Sequence, residues 1–155
     1  MSKNSGKSRI VATLLFLLYI AVACYIMFFS EGLDRNKVSS QYRYNLVPFS
    51  EIKRFWAMRK NYGIAVTIIN LLGNVVCFIP FGYLIPKMIK YIKNTNIVVV
   101  MALTFMFSLV IETIQLVLKV GAFDVDDLIL NTLGGAIGYL LMKTVRFFKE
   151  RKNAT

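Results

Sequence analysis

Histidine is absent from all 155 residues, and cysteine occurs only as Cys24 and Cys77. The first absence removes the commonest general base and the commonest metal ligand, so any chemistry must rest on carboxylates, amides or hydroxyls. Each cysteine lies inside an apolar run and reads as a small buried hydrophobe, with no disulfide, metal site or redox role. Charge is scarce too: charged residues make up 17% of the chain and hydrophobic ones 57%, with a mean hydropathy of +0.59. A soluble domain this small would need far more polar surface, so the bilayer is the expected solvent. Acidic residues number 8 against 19 basic ones, a net charge of +11. The basic residues stand in the gaps between apolar runs, as topology signals and head-group contacts do, so no nucleic-acid partner is expected.

Four apolar runs are present: residues 10–29, 64–85, 97–118 and 128–145. Each is close to the ~20 residues that cross a hydrocarbon core. Ala21-Val22-Ala23-Cys24 loosely echoes a lipoprotein cleavage site, but the first run continues five residues past Cys24, and an uncleaved span is expected. The fold class is therefore an all-α integral membrane protein, a bundle of four transmembrane helices in a single domain over 10–145. Basic residues number three in the tail 1–9, three in the loop 86–96 and five from Lys143 onward, against Lys119 alone in the loop 119–127. The positive-inside rule then places both termini, including the basic tail 146–155, in the cytoplasm.

The loop 30–63 would be extracytoplasmic, yet it carries seven basic and three acidic residues. Within it Phe49, Ile52, Phe55 and Trp56 share one helical face, with Lys53, Arg54, Arg59 and Lys60 mostly elsewhere. That pattern predicts an interfacial helix against anionic head groups; a solvated loop with incidental aromatics is the alternative.

Polar residues inside the runs are few: Asn70 and Asn74, Glu112 and Gln115, and Asn131, with Asp124, Asp126 and Asp127 just before the last run. In the expected orientation Asn70, Glu112 and Asn131 all fall in the outer half of the membrane, Asn70 roughly 9 Å below its boundary at helical rise. Asn70/Asn74, Glu112/Gln115 and Asp127/Asn131 are each spaced to share a helical face. An ionisable group in a span costs roughly 2.5–3.5 kcal/mol, so Glu112 should face the bundle interior or a wet cavity. Interhelical hydrogen bonding is the alternative for these groups, and for Asn70 and Asn74 it comes first. Asp124 fits an N-cap of the fourth helix with Asp127 in its first turn, while Asp126 is expected to face solvent. A divalent-cation site is not expected, because no closed ligand set is present. Gly134 and Gly138 predict close helix packing, and Pro80 with Gly82 should kink or end the second span.

Four segments carry a resemblance. Asn45-Leu-Val-Pro48-Phe49-Ser-Glu51-Ile52, Asn74 to Pro86, Ser108 to Gln115, and Phe123-Asp124-Val-Asp126-Asp127 to Gly134 together resemble, in order, the signatures of VanZ-like membrane proteins. Many members carry an arginine just before the Phe-Asp pair, where this chain has Gly121-Ala122. The family takes its name from a protein giving low-level resistance to teicoplanin-type glycopeptides. The resemblance implies a bacterial cytoplasmic membrane location and a cell-envelope role.

The functional expectation is an outer-leaflet site that binds or modifies a lipid head group or a lipid-linked cell-wall precursor. Glu112 would be the general acid or base, with Asp127 and Asp124 orienting a second reactant or a cation, and Asn74, Gln115, Asn131 and Asn70 binding polar head-group atoms. The rival is a non-catalytic scaffold or shielding protein. A transporter is disfavoured, since polarity confined to one half offers no continuous path. No cofactor is legible.

Overall fold

A computed structural model describes residues 3–29, 40–89 and 96–154. In chain order the elements are α1 (Lys3–Phe29), β1 (Arg43–Asn45), α2 (Ser50–Ala57), α3 (Arg59–Tyr62), α4 (Ile64–Met88), α5 (Ile97–Leu118), β2 (Ala122–Asp124) and α6 (Val125–Ala154). Among the described residues four helices are long and apolar enough to cross a membrane, over Ile10–Phe28, Thr67–Met88, Ile97–Leu118 and Val125–Asn153. The four-span bundle is therefore present. Much of its apolar surface faces outward: Leu14, Leu18, Val76, Val98 and Leu140 are all at least half exposed, as side chains solvated by lipid would be.

α4 and α5 pack against α6, and α1 packs against α4. Gly134 and Gly138 sit where a Cβ would overlap the backbone of Val75 and of Ile79, and Gly82 of α4 meets the backbone of Gly135. On the other flank, Gly135 lies against the Thr104 side chain of α5. Backbone-to-backbone approach of this kind is how spans gain dispersion contact where no hydrophobic drive separates them from lipid. Alongside this seam a buried cluster of Met27, Phe78, Phe81, Ile85 and Ile111 joins α1, α4 and α5. Phe81 stacks on Phe107 at 4.9 Å between centroids and meets Phe16 at 5.7 Å.

α4 runs through Pro80 and Pro86 to Met88, so of the kink or end expected at Pro80 and Gly82 the end does not occur there. The basic segment 146–155 continues α6 as far as Ala154. Lys, Arg and Glu are good helix formers, and Arg146 with Glu150 makes an i,i+4 pair at 2.8 Å.

The helix ends follow from local chemistry. Asn96 caps α5 by accepting the Val99 N–H at 2.9 Å. α5 closes with Lys119 in the left-handed region, φ 56°, and with Lys119 N–H bonding Leu116 O and Val120 N–H bonding Gln115 O. That is a Schellman closure, with lysine where glycine is usual. It turns the chain into β2, which pairs in parallel with β1 in the register Arg43↔Ala122, Tyr44↔Phe123, Asn45↔Asp124. This two-stranded ladder fastens the segment before α2 to the turn before α6.

Candidate functional site

α2 is anchored from a distance. Both carboxylate oxygens of Asp126 face its N-terminus: one accepts the Phe49 N–H, the other accepts Glu51 N–H at 2.9 Å and Ile52 N–H at 3.1 Å. The three donors are among those that the first turn of a helix leaves unpaired, and α2 has no side-chain cap of its own. Phe49 reaches this geometry with φ 64°. Asp126 is 1% exposed. The expectation that it faces solvent is thus overturned, because the acid sequence places beside α6 serves α2 instead.

Asp124 does cap α6, its Oδ1 accepting the Asp126 N–H at 2.8 Å. The same oxygen accepts from Asn45 Nδ2 at 3.1 Å, across the β1–β2 ladder. Its backbone N–H donates in turn to Glu112 Oε2 at 3.1 Å. Glu112, 3% exposed, therefore faces the bundle interior and holds the peptide of Asp124.

The amides divide. Asn74 donates through Nδ2 to Asp127 Oδ1, joining α4 to α6. Gln115 donates to the Met27 carbonyl at 2.9 Å, tying α5 to α1. Asn131 donates to Ser108 Oγ at 2.8 Å, while its own Oδ1 is buried without a hydrogen-bond partner among the described residues. The side chain of Asn70 lies outside the described residues.

A cavity of about 360 Å3 opens between α1, α2, α4 and α6. Its polar lining is Glu51, Asn74, Asp124 and Asp127, and its apolar lining includes Ile26, Met27, Ile69, Leu71, Cys77 and Leu130, with Ile52 and Phe55 contributed by α2. Asn74, Asp124 and Asp127 are thereby brought together; Glu112, Gln115 and Asn131 are not among the residues that line this space. Glu51 is the functional candidate that the sequence reading missed. Its signal was an acid on a short helix otherwise basic, inside the Phe49-Ser-Glu51-Ile52 segment.

Burial raises the Glu51 carboxyl above its ordinary value; Arg54 opposes the shift, and Asp124 and Asp126 add to it. Asp124 is also raised, first by burial, with the Asp126 N–H bond opposing and the Asp126 charge adding. Arg54 pairs with Glu51 at 2.5 Å, from a side chain 59% exposed. Among the described residues no group of three or more Cys, Asp or Glu side chains is placed to hold a metal ion.

The comparisons with known proteins agree with this architecture. The VanZ/LLP1 family model matches residues 16–147. The chain is 31% identical to Protein VanZ of Enterococcus faecium over 138 residues, which is 86% of this chain and 74% of that one. No solved structure matches. A family match over nearly the whole bundle, together with four membrane-spanning helices, makes this chain a member of the VanZ/LLP1 family and a multi-pass bacterial membrane protein.

Proposed function

We propose that the cavity binds the head group of a membrane lipid or of a lipid-linked envelope precursor at the outer leaflet. The observation that carries the reading is the division of its wall. Glu51, Asn74, Asp124 and Asp127 supply hydrogen-bonding groups, while Ile26, Ile69, Leu71 and Leu130 offer an apolar bed for the start of a chain. Binding sites combine a mainly apolar wall with a few polar groups in this way. The distribution of basic residues, which by the positive-inside rule favours cytoplasmic termini, supports the outward orientation.

α2 and α3 support the same reading. In α2, Ile52 and Phe55 turn to the cavity and Lys53 and Arg54 are exposed; in α3, Lys60 is exposed and Arg59 rests over Trp56 at 5.0 Å. An apolar underside with a cationic edge suits short helices lying among anionic head groups. In this proposal Asp127 and Asp124 are the groups that could exchange a proton with a bound head group. Glu112 positions Asp124 through its backbone rather than meeting the ligand. The likeness to VanZ supplies a link by homology to teicoplanin-type glycopeptide resistance, and in this proposal the head-group site would be what acts in the cell envelope.

One observation favours a second reading, a non-catalytic scaffold: Gln115 and Asn131 are both engaged between helices. The experiment that separates the two uses Gly73, which lines the cavity and has nothing within 4 Å of an added Cβ. Gly73→Phe should fill the space with the bundle intact. Native mass spectrometry should then show co-purified lipid lost from Gly73→Phe and retained by the parent. Equal retention by both would leave the scaffold reading standing.

A further inference from the structure

We infer that the C-terminal end of α6, from Leu140 to Lys152, binds anionic phospholipids of the leaflet opposite the cavity. Acyl chains lie along Leu140, Phe147 and Phe148, and the phosphates meet Arg151 and Lys152.

Depth is the first argument. Gly82-Tyr83-Leu84 with Lys87 in α4 is repeated as Gly138-Tyr139-Leu140 with Lys143 in α6. The two helices run parallel, since Gly134 meets Val75 and Gly138 meets Ile79. Gly82 in turn meets Gly135, so the two repeats stand at one level. In each, the lysine ammonium lies over the tyrosine ring four residues earlier, 3.6 Å from the Tyr83 centroid and 5.7 Å from that of Tyr139. Tyrosine and lysine together mark the edge of a hydrocarbon core. Counting back the ~20 residues that cross the core from Lys143 reaches β2, beside the cavity, as the other edge. α6 is 30 residues long, about 45 Å at helical rise. That length matches a bilayer with its head groups, about 40–45 Å. The segment beyond Lys143 thus stands in the head-group layer.

The second argument is the face. Ile129, Leu133, Leu140 and Phe147 recur at helical spacing and are all exposed, forming one lipid-facing stripe. Phe148 stands beside Phe147, with ring centroids 5.7 Å apart, and both are more than half exposed. Every residue from Thr144 to Asn153 is exposed, so no described element covers this end. A helix end leaving for water gains nothing from two bare phenylalanines in register with lipid-facing leucines.

Charge completes the case. Arg151 and Lys152 follow Phe147 and Phe148 by four residues, one turn further along the same stripe, and the Arg151 guanidinium lies 6.0 Å from the Phe147 centroid. Glu150, the one acid after Asp127, pairs instead with Arg146 at 2.8 Å. Cations placed just past an apolar stripe suit a lipid with net negative charge, each basic residue near such a surface contributing about 1 kcal/mol.

The test reads this position alone. Trp56 is the sole tryptophan, so Trp56→Phe gives a background in which Phe148→Trp reports on the surface and Phe105→Trp on an exposed mid-span face of α5. Each protein is placed in vesicles of phosphatidylcholine and phosphatidylglycerol, one lipid at a time carrying brominated, fluorescence-quenching acyl chains. Phe148→Trp should show about three-fold tighter contact with phosphatidylglycerol than with phosphatidylcholine, and Phe105→Trp none. Arg151→Gln with Lys152→Gln should remove the preference, as should about 1 M salt, where screening acts within ~3 Å. Gly73→Phe, which fills the cavity at the other end, should leave it unchanged. Equal quenching by both lipids at Phe148→Trp, or the same preference at Phe105→Trp, would overturn anionic binding at this surface. No quenching by either lipid at Phe148→Trp, the outcome for an end held by a soluble partner, would overturn the membrane contact itself. Loss of the preference in Gly73→Phe would assign it to the cavity instead.

Discussion

The carboxylate of Asp126 accepts the backbone N–H of Glu51 at 2.9 Å, although the two residues lie 75 positions apart. A single acid at the head of one spanning helix thereby fixes the start of α2, and with it the Glu51, Ile52 and Phe55 side chains that line the cavity. Asp126→Asn replaces one acceptor by a donor facing backbone N–H groups. It should cost about 2 kcal/mol, since hydrogen bonds to charged groups carry ~1.5–3 kcal/mol and a buried donor is left unmet. Unfolding in detergent should show that loss, and a cysteine placed at Ser50 should become more reactive. A variant as stable as the parent would mean that α2 holds its place without this contact.

Part of this architecture was legible in advance. Spans leave long apolar runs, a cap leaves an acid one residue before the helix, and Gly134-x-x-x-Gly138 leaves a spacing. All three are local patterns, and all three appear where expected. The Asp126–α2 anchor and the pairing of Tyr44 with Phe123 are not local. Nothing in the sequence around Asp126 says that its donors lie in another loop. Glu112 shows a further limit. A buried acid in a span must be satisfied, but the requirement does not name the partner, and here the partner is the peptide of Asp124.

The glycine seam gives a paired test. Gly138→Ala puts a methyl against the Ile79 carbonyl of α4, so the helices must separate, and overpacking of this kind costs about 1–3 kcal/mol. Gly73→Ala has open space around it and should be neutral or slightly stabilising. Melting temperatures of both variants in one detergent check the contrast. Equal effects would place the α4–α6 contact elsewhere.

The raised carboxyls set the sign of a pH effect. Glu51 and Asp124 bind protons more tightly in the folded chain than their ordinary values, 4.5 and 3.8. In the window above those values the folded state holds more protons than the unfolded one, so stability falls as pH rises through the folded pKa. Acidification from neutral pH towards those ordinary values should therefore raise the melting temperature through these two groups. Glu51→Gln should flatten the slope. An unchanged slope in Glu51→Gln and in Asp124→Asn would remove them as its source.

Orientation has its own test. In a background free of Cys24 and Cys77, Ser40→Cys and Ala122→Cys should react with an impermeant thiol reagent on intact cells. Ile92→Cys and Glu150→Cys should react only after lysis. Labelling of Ile92→Cys on intact cells would reverse the orientation and place the cavity at the inner leaflet.

The most direct measurement of the central claim is photo-crosslinking with a phospholipid carrying a diazirine on the first carbons of its acyl chain. If the cavity holds a lipid head, adducts should concentrate on Ile26, Met27, Ile69 and Leu130, the apolar lining beside Asn74 and Asp127. Gly73→Phe should remove those adducts and spare the rest. Adducts spread over the outward faces of Leu14, Leu18 and Leu140, unchanged by Gly73→Phe, would contradict the account.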